Sequence, residues 1–177
     1  MKSSDVSIIQ NTPRVSECLV LIEKIFKEND LFFGHGTDNA WDEAVCLMLN
    51  VLGEPYDTDN DVQDINLTEK QLKTLVSSMS KRVDQRIPLP YITHTAWFMR
   101  HPFYVNSNVL IPRSPFAELI LNQFSPWIPK KNVHSLLEIG TGSGCMGISA
   151  ALAFPEALVL ATDISDDALE VAERNVN

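Results

Sequence analysis

Lysine and arginine are scarce in this chain, 14 against 23 aspartates and glutamates over 177 residues, for a formal net charge of -9. Neutralising a phosphate backbone takes clustered cations. The one basic cluster, Lys81, Arg82 and Arg86, is interrupted by Asp84, so no sequence-specific nucleic-acid binding is expected. An acidic body suits a basic protein partner, and it equally suits plain solubility. Long apolar runs are missing too. No stretch approaches the ~20 residues needed to span a bilayer, and residues 1–10 lack a basic start followed by a long apolar core. The expectation is a cytoplasmic protein with no membrane partner. Cysteine is sparse: Cys18, Cys46 and Cys145 form an odd, scattered set without C-x-x-C, which fits a reducing compartment. His35, His94, His101 and His134 stand at no metal-ligand spacing from them, and no metal is expected. A hydrophobic content of 45% is that of a globular chain, long enough for one good core or two small ones.

Glycine is equally sparse, seven in all, yet Gly140, Gly142, Gly144 and Gly147 fall in one short stretch. They follow an apolar run over 133–139 and lead into a helical pattern over 145–154. A second apolar run over 158–161 is closed by Asp163. Strand, glycine-rich turn, helix and strand in that order form half of an α/β nucleotide fold. Gly142, Gly144 and Gly147 satisfy G-x-G-x-x-G, and Asp163 stands near the distance of about 20 residues at which an acid meets a ribose. Charge separates the candidate ligands. Glu138 lies at the end of the first run, where the pyrophosphate of a dinucleotide such as NAD would approach a helix N-terminus, and a carboxylate there repels phosphates. S-adenosylmethionine carries a sulfonium and an ammonium, for which the same acid is attractive. The expected cofactor is therefore S-adenosylmethionine in preference to NAD, held by Glu138, Gly140, Thr141, Gly142, Ser143, Gly144, Asp163 and Ile164. The glycines let backbone approach a ligand with no Cβ in the way, and Asp163 can accept hydrogen bonds from ribose hydroxyls. Thr141 and Ser143 can serve simply to shape the turn. Cys145 reads as a small apolar residue on the packing face of the helix.

Upstream, Val15, Cys18, Leu19, Ile22, Ile25 and Phe26 recur at helical spacing, predicting a helix over 15–28. A second helix starts near Ala40, with Asp38 or Asn39 as its cap and Asp42 and Glu43 in its first turn, and stops at Gly53. An acidic loop over 57–64 follows. Thr68-Glu69-Lys70-Gln71 is a capping box opening a third helix, whose apolar face is Leu72, Leu75, Val76, Met79 and Val83. Pro88 and Pro90 end that helix. Residues 95–99 and 103–111 are rich in aromatic and β-branched types and predict a β-hairpin. Ser114-Pro115 starts a further helix continuing over 116–124, and 127–132 is a surface turn. Ser165 caps a last helix. The expected domains are a helical amino-terminal domain over 1–87, a hairpin linker over 88–112 and the start of a Rossmann-like domain over 113–177.

With these segments in place, the chain resembles the protein-glutamine N5-methyltransferases, class I enzymes with a helical amino-terminal domain, a hairpin linker and a Rossmann-like catalytic domain. The similarity runs over 33–177, and two stretches narrow it. The hairpin region ends Val109-Leu110-Ile111-Pro112-Arg113-Ser114-Pro115-Phe116-Ala117-Glu118, where the release-factor branch of the family typically carries V-L-I-P-R-P-D-T-E. The Arg and the Glu are retained and the P-D-T is replaced. That form, with Gly34-His35-Gly36-Thr37-Asp38-Asn39-Ala40-Trp41-Asp42-Glu43-Ala44 upstream, resembles the PrmB-like branch, which modifies a glutamine on large-subunit ribosomal protein L-three. The resemblance implies an α/β fold and transfer of a methyl group from S-adenosylmethionine to a glutamine side-chain amide in a basic ribosomal protein. It also implies substrate recognition by the helical domain. A release-factor substrate is the alternative within the family, and a non-catalytic module that binds a ribosomal protein is the alternative of another class. The stretch 34–39 reads either as a substrate-facing loop or as a glycine turn into a helix cap. Arg113 and Glu118 read either as a border of the cofactor pocket or as a surface ion pair. Trp97, Phe98, Phe103 and Tyr104 read as packing of the hairpin.

The family's catalytic signature, N-P-P-Y, does not occur in the sequence, and no catalytic residue is assigned. An amide nitrogen is a poor nucleophile because its lone pair is conjugated with the carbonyl. The resemblance implies that the missing Asn and a neighbouring carbonyl hold the amide in line with the methyl group. Beyond residue 133 only two strands and two helices are expected, fewer than a doubly wound sheet needs to cover both faces. The expectation is an amino-terminal portion of a longer enzyme, inactive by itself, with apolar sheet surface left open.

Overall fold

Apolar spacing and caps set the helices of the first part of the chain. The computed structural model describes residues 1–58, 61–129 and 133–177 and divides into two units, Met1–Thr93 and His94–Asn177. In the first unit α1 is Ser3–Gln10, α2 is Val15–Glu28, α3 is Ala40–Leu52, α4 is Glu69–Val83 and α5 is Leu89–Thr93. All six apolar residues that predicted α2 are buried. Asn39, not Asp38, caps α3: its side-chain oxygen accepts from the Asp42 N–H at 2.9 Å. Gly53 ends α3 in a left-handed conformation, φ 78°. Thr68 and Gln71 form the expected reciprocal box at the start of α4. Leu72, Leu75, Met79 and Val83 of α4 are buried against Phe26, Ile22, Leu47 and Met48, with Val76 at the edge. The core also buries Cys18, whose thiol is pushed up to about 11 by burial, Glu17 adding to it.

Two helices escape the sequence pattern. Helix α1 is short and buries one residue, Ile9, too little for a periodic signal. Helix α5 contains Pro90 near its start, where a proline's missing N–H has no helical partner to lose. The prolines therefore separate α4 from α5 and do not end helical structure. The loop expected over 57–64 and the turn expected over 127–132 lie partly outside the described residues.

The second unit opens with an antiparallel hairpin of β1, Thr95–Phe98, and β2, His101–Tyr104. Its turn is Met99-Arg100, at φ 50° and 67°, the left-handed pair that a tight two-residue hairpin requires. The second strand stops at Tyr104 and does not reach Ile111 as expected. Val105, Val109 and Ile111 are buried in irregular chain, so their apolar, β-branched character reported burial and not strand. Helix α6, Phe116–Leu121, stops short of the expected Phe124 because Gln123 and Phe124 take positive φ. Strand β3, Ser135–Ile139, helix α7, Cys145–Ala153, and strand β4, Leu158–Thr162, then form a parallel β-α-β unit, and α8, Asp166–Val176, follows. Leu137 pairs with Leu160 in the ladder. On that face Leu137, Ile139, Leu158 and Leu160 are exposed.

Candidate functional site

The glycine-rich stretch 140–144 links the end of β3 to the start of α7, and β4 ends beside it. The Gly140 and Thr141 N–H groups donate to the Thr162 carbonyl at 2.8 and 2.9 Å. The Thr162 hydroxyl donates back to the Glu138 carbonyl at 3.1 Å. The strand ladder thus runs into the loop and holds it at the carboxyl edge of the sheet, where ligands bind in open α/β folds.

Glu138, Gly140, Thr141, Gly142, Ser143, Gly144 and Asp163 come together here. Gly142 sits at φ 55° with no atom within 4 Å of where a Cβ would stand, so its backbone is open to a ligand. Its N–H donates to the Asp163 carboxylate at 2.9 Å, and the Ser165 N–H donates to the other oxygen at 3.0 Å. These two backbone donors hold the Asp163 carboxyl below the usual carboxylate range, Ser165 contributing most. A carboxylate has about four acceptor positions, so capacity remains for ribose hydroxyls. Thr141 and Ser143 are buried. The Thr141 hydroxyl donates to Glu138 at 2.8 Å, so these two side chains shape the turn. The side chain of Ile164 is fully exposed.

Glu138 is turned under the loop towards the first turn of α7. Burial pushes its carboxyl up, the Thr141 hydroxyl and the Gly147 N–H oppose that, and the Asp163 charge adds to it. Gly147 lies in the first turn of α7, where N–H groups lack helical partners. The place a pyrophosphate would take at this helix end is therefore filled by the protein's own carboxylate. Glu138 Oε1 is buried without a hydrogen-bond partner among the described residues. The ends of β3 and β4 thus carry two carboxylates that feel each other's charge.

A cavity of about 290 Å³ next to Glu138 is lined by Phe116, Ile120, Phe124, Met146 and Val159 but by none of Gly140, Gly142 or Asp163. It lies where α6 and α7 meet residues 136–139 of β3, and Glu138 and Gly147 are part of its lining. Cys145 packs with Phe98 and Phe103, and burial raises its thiol, as suits an inert core residue. Arg113 and Glu118 are both exposed, and no ion pair joins them among the described residues. No group of three or more His, Cys, Asp or Glu placed to hold a metal ion occurs among the described residues, and no helix among them is long and apolar enough to cross a membrane. Two contributors carried no sequence signal of this role: Asn175, whose side chain reaches the Ser143 carbonyl, and Gly147, which counted only as one glycine of a fingerprint.

A family profile described as lysine methyltransferase matches residues 118–177, the part that holds this loop. Two curated proteins match far more of the chain. The ribosomal protein uL3 glutamine methyltransferase of Francisella tularensis subsp. tularensis (strain SCHU S4 / Schu 4) is 44% identical over 149 residues, covering 84% of this chain and 48% of that protein. The ribosomal protein uL3 glutamine methyltransferase of Bordetella pertussis (strain Tohama I / ATCC BAA-589 / NCTC 13251) is 46% identical over 144 residues, covering 81% of this chain and 48% of that protein. The chain spans about half the length of the curated relatives it matches. The lysine profile is confined to residues 118–177, whereas the glutamine relatives extend through most of the chain, and the chain accordingly belongs to the protein-glutamine N5-methyltransferase family.

Proposed function

We propose that the full-length protein transfers a methyl group from S-adenosylmethionine to the side-chain amide nitrogen of a glutamine in ribosomal protein uL3, in the cytoplasm, and that residues 138–164 form one wall of its cofactor site. Two relatives named for that reaction support the substrate. The single observation that supports the cofactor is the pair of carboxylates, Glu138 and Asp163, at the strand ends, with the Glu138 carboxylate lying against Gly147 in the first turn of α7. A pyrophosphate is repelled there, and a sulfonium or ammonium is attracted.

When bound, S-adenosylmethionine supplies a methyl group made electrophilic by its sulfonium. Gly140 and Gly142 give the ligand access to backbone, Asp163 accepts from the ribose, and Glu138 fixes the loop and lends negative charge. Thr141, Ser143 and Gly144 hold the turn, and Ile164 flanks it. No residue of this chain is assigned to the methyl-transfer step. Residues 1–87 are proposed to meet the protein substrate, with 88–112 as the linker to the domain that begins at 113.

The test incubates the full-length protein and labelled S-adenosylmethionine with purified uL3 and, separately, with release factors. One N5-methylglutamine in uL3 alone, located by mass mapping, is expected. Methylation of the release factors alone, or of lysine in uL3, would overturn the assignment.

A further inference from the structure

Asn175 stands in the last turn of α8, where an asparagine ordinarily faces solvent, yet its carboxamide makes three hydrogen bonds within the fold. Nδ2 donates to the Tyr104 carbonyl at 2.9 Å and to the Ser143 carbonyl at 2.8 Å, and Oδ1 accepts from the Tyr104 N–H at 2.7 Å. Only one orientation of the amide satisfies these contacts. Reversed, it would set NH₂ against the Tyr104 N–H and an oxygen against two carbonyls.

Exchange of both backbone bonds with one residue is what a strand neighbour does in an antiparallel pair. Asn175 thus takes a strand's place at the end of β2 and simultaneously holds the loop, because Ser143 lies between Gly142 at φ 55° and Gly144 at φ 79°. The adjacent Arg174 places its guanidinium 3.5 Å from the centre of the Tyr104 ring, and the His94 ring stacks on the same tyrosine at 5.6 Å. The hairpin end is therefore anchored twice, but only Asn175 continues into the glycine loop.

We infer that Asn175 is a positioning residue for the cofactor loop, fixing the Ser143 peptide before ligand arrives; this rests on the reading that the loop binds S-adenosylmethionine. A backbone flanked by glycines loses much freedom when ordered, and ordering it in advance lowers the cost of binding. Asn175 touches no reacting atom, so its loss acts on affinity and not on the transfer step.

The experiment uses the full-length enzyme with Asn175→Asp, Asn175→Ala and, as control, Arg174→Ala, which weakens the hairpin anchor without touching the loop. Calorimetry with S-adenosylmethionine, steady-state kinetics on uL3, and amide exchange of residues 142–145 in ligand-free protein are measured together. Both Asn175 variants are expected to raise the cofactor Kd and KM about tenfold, roughly the worth of the one hydrogen bond each loses to the Ser143 carbonyl, with kcat at saturation within about twofold. Exchange of the loop should quicken in both. Arg174→Ala should lower the melting temperature and leave Kd unchanged. Asn175 variants that melt as Arg174→Ala does and keep wild-type Kd and loop exchange would overturn the inference. An Asn175 variant too unstable to assay, with the other keeping wild-type Kd, would do the same. If the wild-type enzyme binds no S-adenosylmethionine, the cofactor reading itself falls, and this inference with it.

Discussion

Gly147 and Glu138 fit one another: a Cβ at position 147 would stand 2.6 Å from the Glu138 carboxylate oxygen Oε2. An alanine in a helix ordinarily gains about 1 kcal/mol over glycine. Here it would push the carboxylate off the Thr141 hydroxyl and out of the first turn of α7, and disturbing a buried polar group costs about 1–3 kcal/mol. Gly147→Ala is therefore expected to destabilise the full-length protein by roughly 1 kcal/mol and to weaken cofactor binding. In a Glu138→Ala background the same substitution should turn neutral or stabilising. Denaturant melts of the four proteins in this cycle measure the coupling; simple additivity would mean that the two residues do not meet.

The same burial gives Glu138 a pH signature. Its folded carboxyl is raised, by burial first, so the folded state holds the proton more tightly than the unfolded chain does. Stability is then greatest below the ordinary glutamate range and falls as pH rises through the raised value. Glu138→Gln removes that titration. Its melting temperature relative to wild type should climb across this window and stay level above it, while its affinity for S-adenosylmethionine drops. A difference that does not change with pH would count against a buried, charge-penalised Glu138.

Asp163 carries the opposite sign. Its carboxyl is lowered by the Ser165 and Gly142 N–H groups, so its contribution is present above the ordinary aspartate range and lost as pH falls through the folded value. Asp163→Asn should accordingly lose ground to wild type above that range and draw level in acid. Asp163→Ala should also weaken cofactor binding in calorimetry, the direct check on its proposed contact with the ribose.

What the sequence made legible was whatever depends on neighbours along the chain. The Thr68–Gln71 box, the Asn39 and Ser165 caps and the β-α-β order are set by residues a few positions apart, and they stand where local chemistry puts them. The loop was legible because three left-handed positions there demand glycine. Contacts across long separations were not. Asn175 meets Ser143 and Tyr104 from 32 and 71 residues away, and nothing in a helix-ending asparagine announces that. The inward turn of Glu138 depends on the first turn of α7, so its charge was readable and its orientation was not. Strand ends misled for a related reason: Val105 and Ile111 are apolar because they are buried, which irregular chain satisfies as well as a strand.

Arg82 shows the same limit, since in sequence it belongs to a basic cluster and in the fold it is buried. Its side chain is 5% exposed and that of Glu43 is 4% exposed. The guanidinium donates to the Glu43 carboxylate through Nε and, at 3.4 Å, through Nη2, and Nη2 also donates to the Phe32 carbonyl at 2.8 Å. The Thr37 hydroxyl donates at 3.3 Å to Oε2 of the same carboxylate, the oxygen that Nη2 also reaches. One buried ion pair thus fastens both ends of the stretch 32–37, which contains Gly34 and His35. Removing one member strands a charge, so Arg82→Met should cost about 3–5 kcal/mol, whereas replacing both members by apolar residues of similar size is often close to neutral. The double variant Glu43→Leu with Arg82→Met should therefore recover most of the stability in a denaturant melt. It should not recover the loop, because the Phe32 carbonyl and the Thr37 hydroxyl still lack their partners, and amide exchange over 32–37 should remain fast. Full recovery of both would reduce the pair to core filling. A cost below about 1 kcal/mol for Arg82→Met would mean that the charge finds water and that the pair is not buried in solution.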